Sequence, residues 1–167
     1  MVYEYLRIKD NQFVFLTKND KEYYVGFEFS SQYFTHSCSQ CHKIYEIIIE
    51  CLNDDNPPFD AGTMTTVMAI IQEYTSNVSV GAVMYKCYDE DGKGCKREAH
   101  FERTFENSDL TNFEFYSQTF EFDTTNDIKQ VKYNLIASST HENYGEIVSE
   151  FYDAPNYWVS DYEYEEE

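Results

Sequence analysis

The sequence has few of the residues from which phosphate loops and nucleic-acid surfaces are built. Only 6 of its 167 residues are glycines, and they form neither a Gly-rich phosphate loop nor a nucleophile elbow. Lys and Arg number 12 against 31 Asp and Glu, which gives a net charge of −19. Such a surface repels nucleic acid and anionic membranes. We therefore expect neither partner, and expect instead another protein, one with a basic surface.

Long apolar runs are missing as well. No window of the sequence approaches the length of a transmembrane helix. The first 16 residues lack the basic and apolar stretches of a signal peptide. The 5 cysteines are an odd number, which argues against a disulfide framework. These absences together predict a cytoplasmic protein with reduced thiols.

The residues that are present predict a folded domain followed by a polar tail. Hydrophobic residues make up 42% of the chain, and its 16 Tyr and 13 Phe favour β-structure. The segment from Pro155 to Glu167 is aromatic and acidic and contains no base. We predict a single domain over residues 1–154 and a disordered tail over residues 155–167.

Hydrophobic periodicity predicts strands, a helix, a strand, a helix, strands and a last helix. Alternating residues between Asn/Asp turns predict a meander over the first thirty residues. The segment from Ile44 to Leu52 fits a helix stripe and a strand face equally, and its three consecutive isoleucines favour the strand. The order predicts an α+β fold, with an antiparallel or mixed sheet of about six to seven strands and three helices.

Local signals predict where several of these elements begin and end. Asp60 is placed to cap the first helix, and the second helix is predicted over Gly94 to Glu106. The apolar phase slips between Phe113 and Phe122, which predicts a β-bulge near Gln118. Regular structure is predicted to end at Pro155.

One short cysteine motif allows several interpretations. Cys38, Cys41 and His42 match the pattern for covalent haem attachment, but that chemistry needs an export signal that we do not find. The same three residues are candidate zinc ligands, although structural zinc sites usually show two separated ligand pairs. A thiol redox pair is a third alternative. We interpret them as loop residues and expect no metal and no cofactor.

An acidic turn precedes the second helix. Asp89, Asp91 and Gly92 resemble the middle of a calcium-binding loop, but Cys87 stands where the first oxygen ligand is needed. We interpret these residues as a strand-to-helix turn, in which Asp and Gly supply the backbone geometry.

The second helix concentrates the few basic residues of the chain. Four of the 12 bases fall within eleven residues. The basic strip comprises Lys93, Lys96, Arg97, His100 and Arg103. A local excess of bases in an acidic protein marks a candidate site for an anion or an acidic partner. The alternative is neutralisation by the neighbouring Glu98 and Glu102.

The segment from Met84 to Phe105 resembles the centre of a bacterial family known as the domain of unknown function numbered 6169. The matching residues are Asp91, Gly92, Lys93, Arg97, Phe101, Arg103 and Phe105. Tyr88 and Thr104 depart from the family pattern, where Asp and Trp are expected. The resemblance implies a compact, single-domain bacterial or phage protein and implies no activity.

Two functions remain after these patterns are weighed. The first, which we favour from the sequence, is a non-enzymatic interaction, accessory or inhibitor protein that acts through its acidic surface. The second is a domain that binds a small anion or a nucleotide, with or without catalysis, at the turn and helix from Asp89 to Arg103. The sequence contains no catalytic residue set that favours an enzyme.

Overall fold

A computed structural model gives the architecture of the chain. It describes residues 1–30, 34, 43–77, 79–88, 94–124 and 127–162, without the side chains of 88, 94, 95, 97, 120–124, 127–130 and 155–162. The strands are β1 (Tyr5–Lys9), β2 (Gln12–Leu16), β3 (Glu22–Phe29), β4 (Ile44–Cys51), β5 (Ala82–Tyr88), β6 (Phe113–Thr124) and β7 (Asp127–Ser138). The helices are α1 (Ala61–Thr75), α2 (Gly94–Glu106) and α3 (Tyr144–Tyr162).

The strands form one mixed sheet of seven strands, in the order β1-β2-β3-β4-β5-β7-β6. Strand β4 pairs with β5 in parallel, and the other neighbours are antiparallel. The chain crosses from β4 to β5 through α1, since parallel neighbours cannot be joined by a tight turn. The α+β class, the sheet and the three helices are therefore confirmed.

Helices cover both faces of the sheet. Helices α1 and α2 pack on one face through Val67, Ile70, Ile71 and Phe101, against apolar residues of β2 to β5. Helix α3 packs on the opposite face of β5 and β7 through Ile147, Phe151 and Ala154. One apolar layer thus lies on each face of β5, which explains why Ala82, Val83 and Met84 are all buried.

The N-terminal meander confirms the alternation seen in the sequence. Phe13 and Phe15 of β2 are buried, and so are Tyr23, Val25 and Phe27 of β3. The predicted second turn contains Asp20 with φ of 56°, a left-handed conformation that Asp tolerates better than most residues. The ambiguous segment after Ile44 is a strand, as predicted, and it pairs with β3 from Tyr45 to Cys51.

The predicted bulge near Gln118 is wrong. Strand β6 pairs with β7 without a break in register from Phe113 to Thr124. The change of phase in the apolar residues of β6 has another cause. Helices cover both faces of this part of the sheet, so apolar residues are not restricted to one face. Ser117 contacts Glu98 of α2, while Gln118 contacts Phe151 of α3. Described residues of β6 therefore contact helices on both faces of the sheet.

The predicted end of regular structure at Pro155 is also wrong, because α3 continues to Tyr162. Proline lacks the N–H that would bond the carbonyl of Phe151 four residues earlier. Gln118 of β6 supplies the missing donor, and its Nε2 lies 2.5 Å from that carbonyl oxygen. The sheet therefore compensates for a proline inside the helix. The division of the chain into domain and tail stays a prediction.

In the part of the chain that the structure describes, no helix combines the length and apolar character needed to cross a membrane.

Phe101 and Phe105, which the sequence predicts to face the core, are buried to different degrees. Phe101 is 3% exposed and stacks on Tyr85, whereas Phe105 is only partly buried beside Phe115. We expect Phe101→Ala to lower the free energy of unfolding by about 3–5 kcal/mol. Phe105→Ala should cost less, because its cavity lies nearer to solvent. Urea unfolding measures both, and an equal loss from the two variants would contradict this packing.

The contact between Gln118 and Phe151 predicts a specific coupling with Pro155. Gln118→Ala should lower the free energy of unfolding by about 1 kcal/mol, because the buried carbonyl of Phe151 loses its donor. In a Pro155→Ala background the helix regains its own N–H, so the same change should cost little. A double-mutant cycle measures the difference. Additive effects of the two changes would show that Gln118 does not replace the proline's missing donor.

Candidate functional site

The parallel pairing of β4 with β5 is short and leaves the sheet open at one edge. Only Ile44, Tyr45 and Glu46 pair with β5, opposite Ala82, Val83 and Met84. The described residues beyond them, 47–51 of β4 and 85–88 of β5, are not paired with each other. Both strands end at this edge, and α1 and α2 begin there. Ligands of α/β sheets commonly bind in such an opening at the carboxyl ends of strands.

A partly buried ion pair lies where the two strands stop pairing. The Nζ of Lys86 lies 2.9 Å from Oε1 of Glu46, and the two side chains are 17% and 13% exposed. At this burial the charges are screened less than at the surface, so removal of either partner would leave a costly charge. The pair therefore links β4 to β5 at the base of the opening.

The N-terminus of α1 is capped by groups of the chain itself. Oδ1 of Asp60 accepts a hydrogen bond from the backbone N–H of Gly62 at 2.9 Å, which confirms the predicted cap. Oδ2 of Asp60 accepts from the Tyr3 hydroxyl at 2.5 Å, and this hydrogen bond raises the pKa of Tyr3. A carboxylate thus occupies the position where a helix would bind an anion. Phosphate groups are not expected at this terminus.

Helix α2 presents three members of the basic strip on one face. Lys96, His100 and Arg103 are four and three residues apart, which places them along one side of the helix. Lys96 and Arg103 are exposed, and neither forms an ion pair with any residue that the structure describes. Their charges are therefore available to a ligand.

Other predicted site residues lie outside the described part of the chain. These are Lys93 and the turn residues Asp89, Asp91 and Gly92, and the side chain of Arg97 is likewise not described. Their roles stay predictions.

An exposed aromatic ring adjoins the basic strip. Phe59 lies just before α1 and is 65% exposed. Its ring stacks on His100 with centroids 4.3 Å apart and an interplanar angle of 27°. The stack joins the segment before α1 to the outer face of α2. Sequence reasoning missed Phe59, although an aromatic residue within the polar turn from Asn53 to Asp60 was a detectable signal.

A groove borders Phe59 at the beginning of α1. It is open to solvent and has a volume of about 450 Å³. Its lining comprises Met1, Lys18 and Asn19 of the β2–β3 turn, Phe59, the capping residue Asp60, and Ala61, Gly62 and Thr65 of α1. Lys18 is exposed and forms no ion pair with another described residue. The groove and the α2 face thus lie on either side of one aromatic ring.

Glu98, one of the two glutamates considered as neutralising partners of the basic strip, lies on the inner face of α2. Glu98 is 9% exposed and accepts hydrogen bonds from Ser117 Oγ, at 2.8 Å, and from Lys132 Nζ. This carboxylate is engaged by the sheet, and it forms no ion pair with Lys96 or Arg103. Its contacts fix α2 on β6 and β7, whereas Lys96 and Arg103 are exposed together with Glu102 and Glu106.

Two buried polar side chains lie beneath the same helix. Tyr85 and Asn134 are register partners on β5 and β7, and they are 5% and 0% exposed. Neither the Tyr85 hydroxyl nor the Asn134 amide has a hydrogen-bond partner among the described groups. Burial, followed by the charges of Cys87, Glu98 and Glu102, raises the pKa of Tyr85, so the phenol stays protonated at neutral pH.

The candidate zinc ligands Cys38, Cys41 and His42 lie outside the described residues. Within the residues that are described, no group of three His, Cys, Asp or Glu is placed to hold a metal ion. Among the described residues, Cys51 is a free thiol.

No protein-family model matches the chain, and no curated protein matches it. The resemblance to the family numbered 6169 therefore stays a prediction.

Several solved structures are similar to the chain. One is described as a phosphinothricin N-acetyltransferase, with 12% identity, coverage of 80% of this chain and 72% of that chain, and a TM-score of 0.47. A spermidine N-acetyltransferase SpeG variant from Vibrio cholerae shares 12% identity, with coverage of 79% and 68% and a TM-score of 0.45. The N-terminal domain of a ribosomal-protein-alanine acetyltransferase from Clostridium acetobutylicum shares 8%, with coverage of 84% and 92% and a TM-score of 0.39.

These structures carry the names of enzymes, and none is named as an accessory protein or an inhibitor. They contradict our first interpretation, a non-enzymatic interaction or inhibitor protein that acts through its acidic surface. That interpretation is corrected, and the alternative of a domain that binds a small anion or a nucleotide agrees better with these comparisons.

Proposed function

We propose that this chain binds a nucleotide-type ligand at the open edge of the β4–β5 pair. The observation that carries the proposal is the outer face of α2, where Lys96, His100 and Arg103 lie in line without an ion pair among the described residues. Two cations beside a stacked aromatic pair suit a ligand that combines phosphate with a planar ring. Two observations argue against an internal role of the strip. Glu98 is engaged by Lys132 and Ser117, and among the described residues neither Lys96 nor Arg103 forms an ion pair with Glu102.

Acyl transfer from an acyl-coenzyme A is the reaction that we propose for this ligand site. Coenzyme A combines a phosphorylated nucleotide with a long arm that contains amide groups. The backbone of β4 beyond Glu46 faces an opening where β5 does not pair with it. Unpaired strand edges bind extended groups through backbone hydrogen bonds. The opening therefore suits the arm, and the α2 face suits the phosphates.

The capped terminus of α1 limits how such a ligand is held. Because Asp60, hydrogen-bonded to Gly62 and Tyr3, caps the N-terminus of α1, the proposal assigns the phosphates to the side chains of α2. Lys96 and Arg103 fit this role, and Phe59 with His100 offers the surface for a ring. The donor would supply the activated acyl group. Residues of this chain would bind and orient it. A cytoplasmic location is part of the proposal.

Binding tests the proposal directly. Isothermal titration at low salt should show ADP and coenzyme A binding to the wild-type chain, more weakly as salt rises. The Lys96→Ala/Arg103→Ala variant should bind both ligands at least tenfold more weakly, because two charge-assisted contacts are lost. Lys9→Glu is the matched control, since it lowers the net charge by the same two units at an exposed residue of the edge strand β1 that forms no ion pair with another described residue. Equal losses in the double variant and in this control would indicate a general charge effect and contradict a site on α2.

Acyl transfer has a separate measurement. Release of free coenzyme A thiol from acetyl-coenzyme A should depend on an added primary amine, and spermidine and a peptide with a free N-terminus are suitable acceptors. The Lys96→Ala/Arg103→Ala variant should show a higher KM for acetyl-coenzyme A, since it weakens donor binding. If the chain binds coenzyme A but no acceptor raises thiol release above the rate without protein, the transfer reaction is wrong and the nucleotide site stands.

A further inference from the structure

The ring of Phe59 has one covered face and one open face. His100 stacks against one side of the ring at 4.3 Å. The side chain nevertheless remains 65% exposed, and it forms part of the wall of the groove at the beginning of α1. Since His100 covers one face, the exposed area belongs mainly to the other face and the edge. An open aromatic face beside a groove is a stacking surface for a planar ring.

The groove has the size and chemistry for a nucleobase. The groove is open to solvent, and its volume of about 450 Å³ leaves room for a planar ring against Phe59. Asn19 contributes an amide, which can donate and accept hydrogen bonds as a base edge requires. No described residue bonds this amide. Lys18 contributes a positive charge at the rim. The groove is therefore polar at its edges and aromatic on one wall.

The part of the groove next to Asp60 does not suit a phosphate group. Asp60 lines it with a carboxylate that is bonded to Gly62 and Tyr3, so an anion placed there would meet a negative charge. Two kinds of subsite therefore adjoin the same ring: an anion surface on α2, and a groove that accepts an uncharged planar group.

We propose that this groove is the base subsite of the ligand site, in which the nucleobase stacks on the open face of Phe59. The proposal rests on the proposed function, and it specifies the ligand as a nucleotide whose base is recognised. In this arrangement, the phosphates of the nucleotide extend past the edge of Phe59 to Lys96 and Arg103. A purine is preferred over a pyrimidine because its larger ring covers more of Phe59.

Two probes separate the base subsite from the phosphate surface. ADP carries both parts, whereas inorganic pyrophosphate carries the phosphates alone. Phe59→Leu keeps an apolar side chain and removes the aromatic face. By titration it should bind ADP about tenfold to a hundredfold more weakly than the wild type, and bind pyrophosphate unchanged. Phe29→Leu is the matched control, because Phe29 is 57% exposed and contacts Tyr45 away from the groove.

A second variant tests the groove without altering the ring. Thr65 lies on the groove wall and is only half-buried, so Thr65→Trp should fill the groove while the chain still folds. It should weaken ADP binding by a similar factor and leave pyrophosphate binding intact. Urea midpoints of both variants confirm that the fold is retained.

The outcomes distinguish the two proposals. If Phe59→Leu and Thr65→Trp bind ADP as tightly as the wild type, while Lys96→Ala/Arg103→Ala loses both probes, the base subsite is wrong and the phosphate surface stands. If the wild type binds neither ADP nor pyrophosphate, the proposed function fails together with the base subsite. Loss of ADP binding with unchanged pyrophosphate binding supports both.

Discussion

The parallel contact between β4 and β5 constrains the rest of the molecule. Parallel strands need a crossover, so α1 must pass over one face of the sheet before β5 begins. Because β5 runs parallel to β4, both strands end at the same edge of the sheet. Helix α2, which follows β5, therefore starts at the same edge as α1. Because the contact stops after three residue pairs, that edge is open. The ion pair between Glu46 and Lys86 stabilises the strands at the last point where they pair. The short β4–β5 pairing thus sets the position of the opening, of the N-termini of α1 and α2, and of the ion pair.

Charge gives this edge its chemical character. The chain as a whole carries −19, so a basic surface exists only where acidic neighbours are absent or already engaged. Helix α2 meets this condition only in part, because Glu102 and Glu106 are exposed on the same helix as Lys96 and Arg103. Glu98 is directed inward to Lys132 and Ser117, while Lys96 and Arg103 remain on the outer face. An anion approaching the protein is repelled by most of its surface, and among the described residues exposed bases such as Lys96, Arg103 and Lys18 attract it locally.

Local signals in the sequence predict much of the fold and less of the site. The strand after Ile44, the cap at Asp60 and the helix from Gly94 to Glu106 follow from residues close in sequence. The parallel pairing of β4 with β5 depends on contacts across more than thirty residues, and periodicity carries no information about it. The same limit explains the errors. Pro155 is compatible with a helix only because Gln118 is nearby, and β6 needs no bulge because helices cover both its faces. Phe59 was missed because its importance depends on His100, about forty residues later.

The inner face of α2 connects the stability of the helix with the site that it carries. Phe101 anchors the helix by stacking on Tyr85, and Glu98 anchors it through Lys132 and Ser117. Between these anchors lie the hydroxyl of Tyr85 and the amide of Asn134, which are buried and not bonded to other described groups. Buried polar groups of this kind weaken the attachment of a helix relative to an apolar layer. Helix α2 is therefore held at a few points, and a ligand that contacts both Phe59 and α2 would add a further link between α1 and α2. Binding energy at the outer face would then contribute to the order of the helix beneath it.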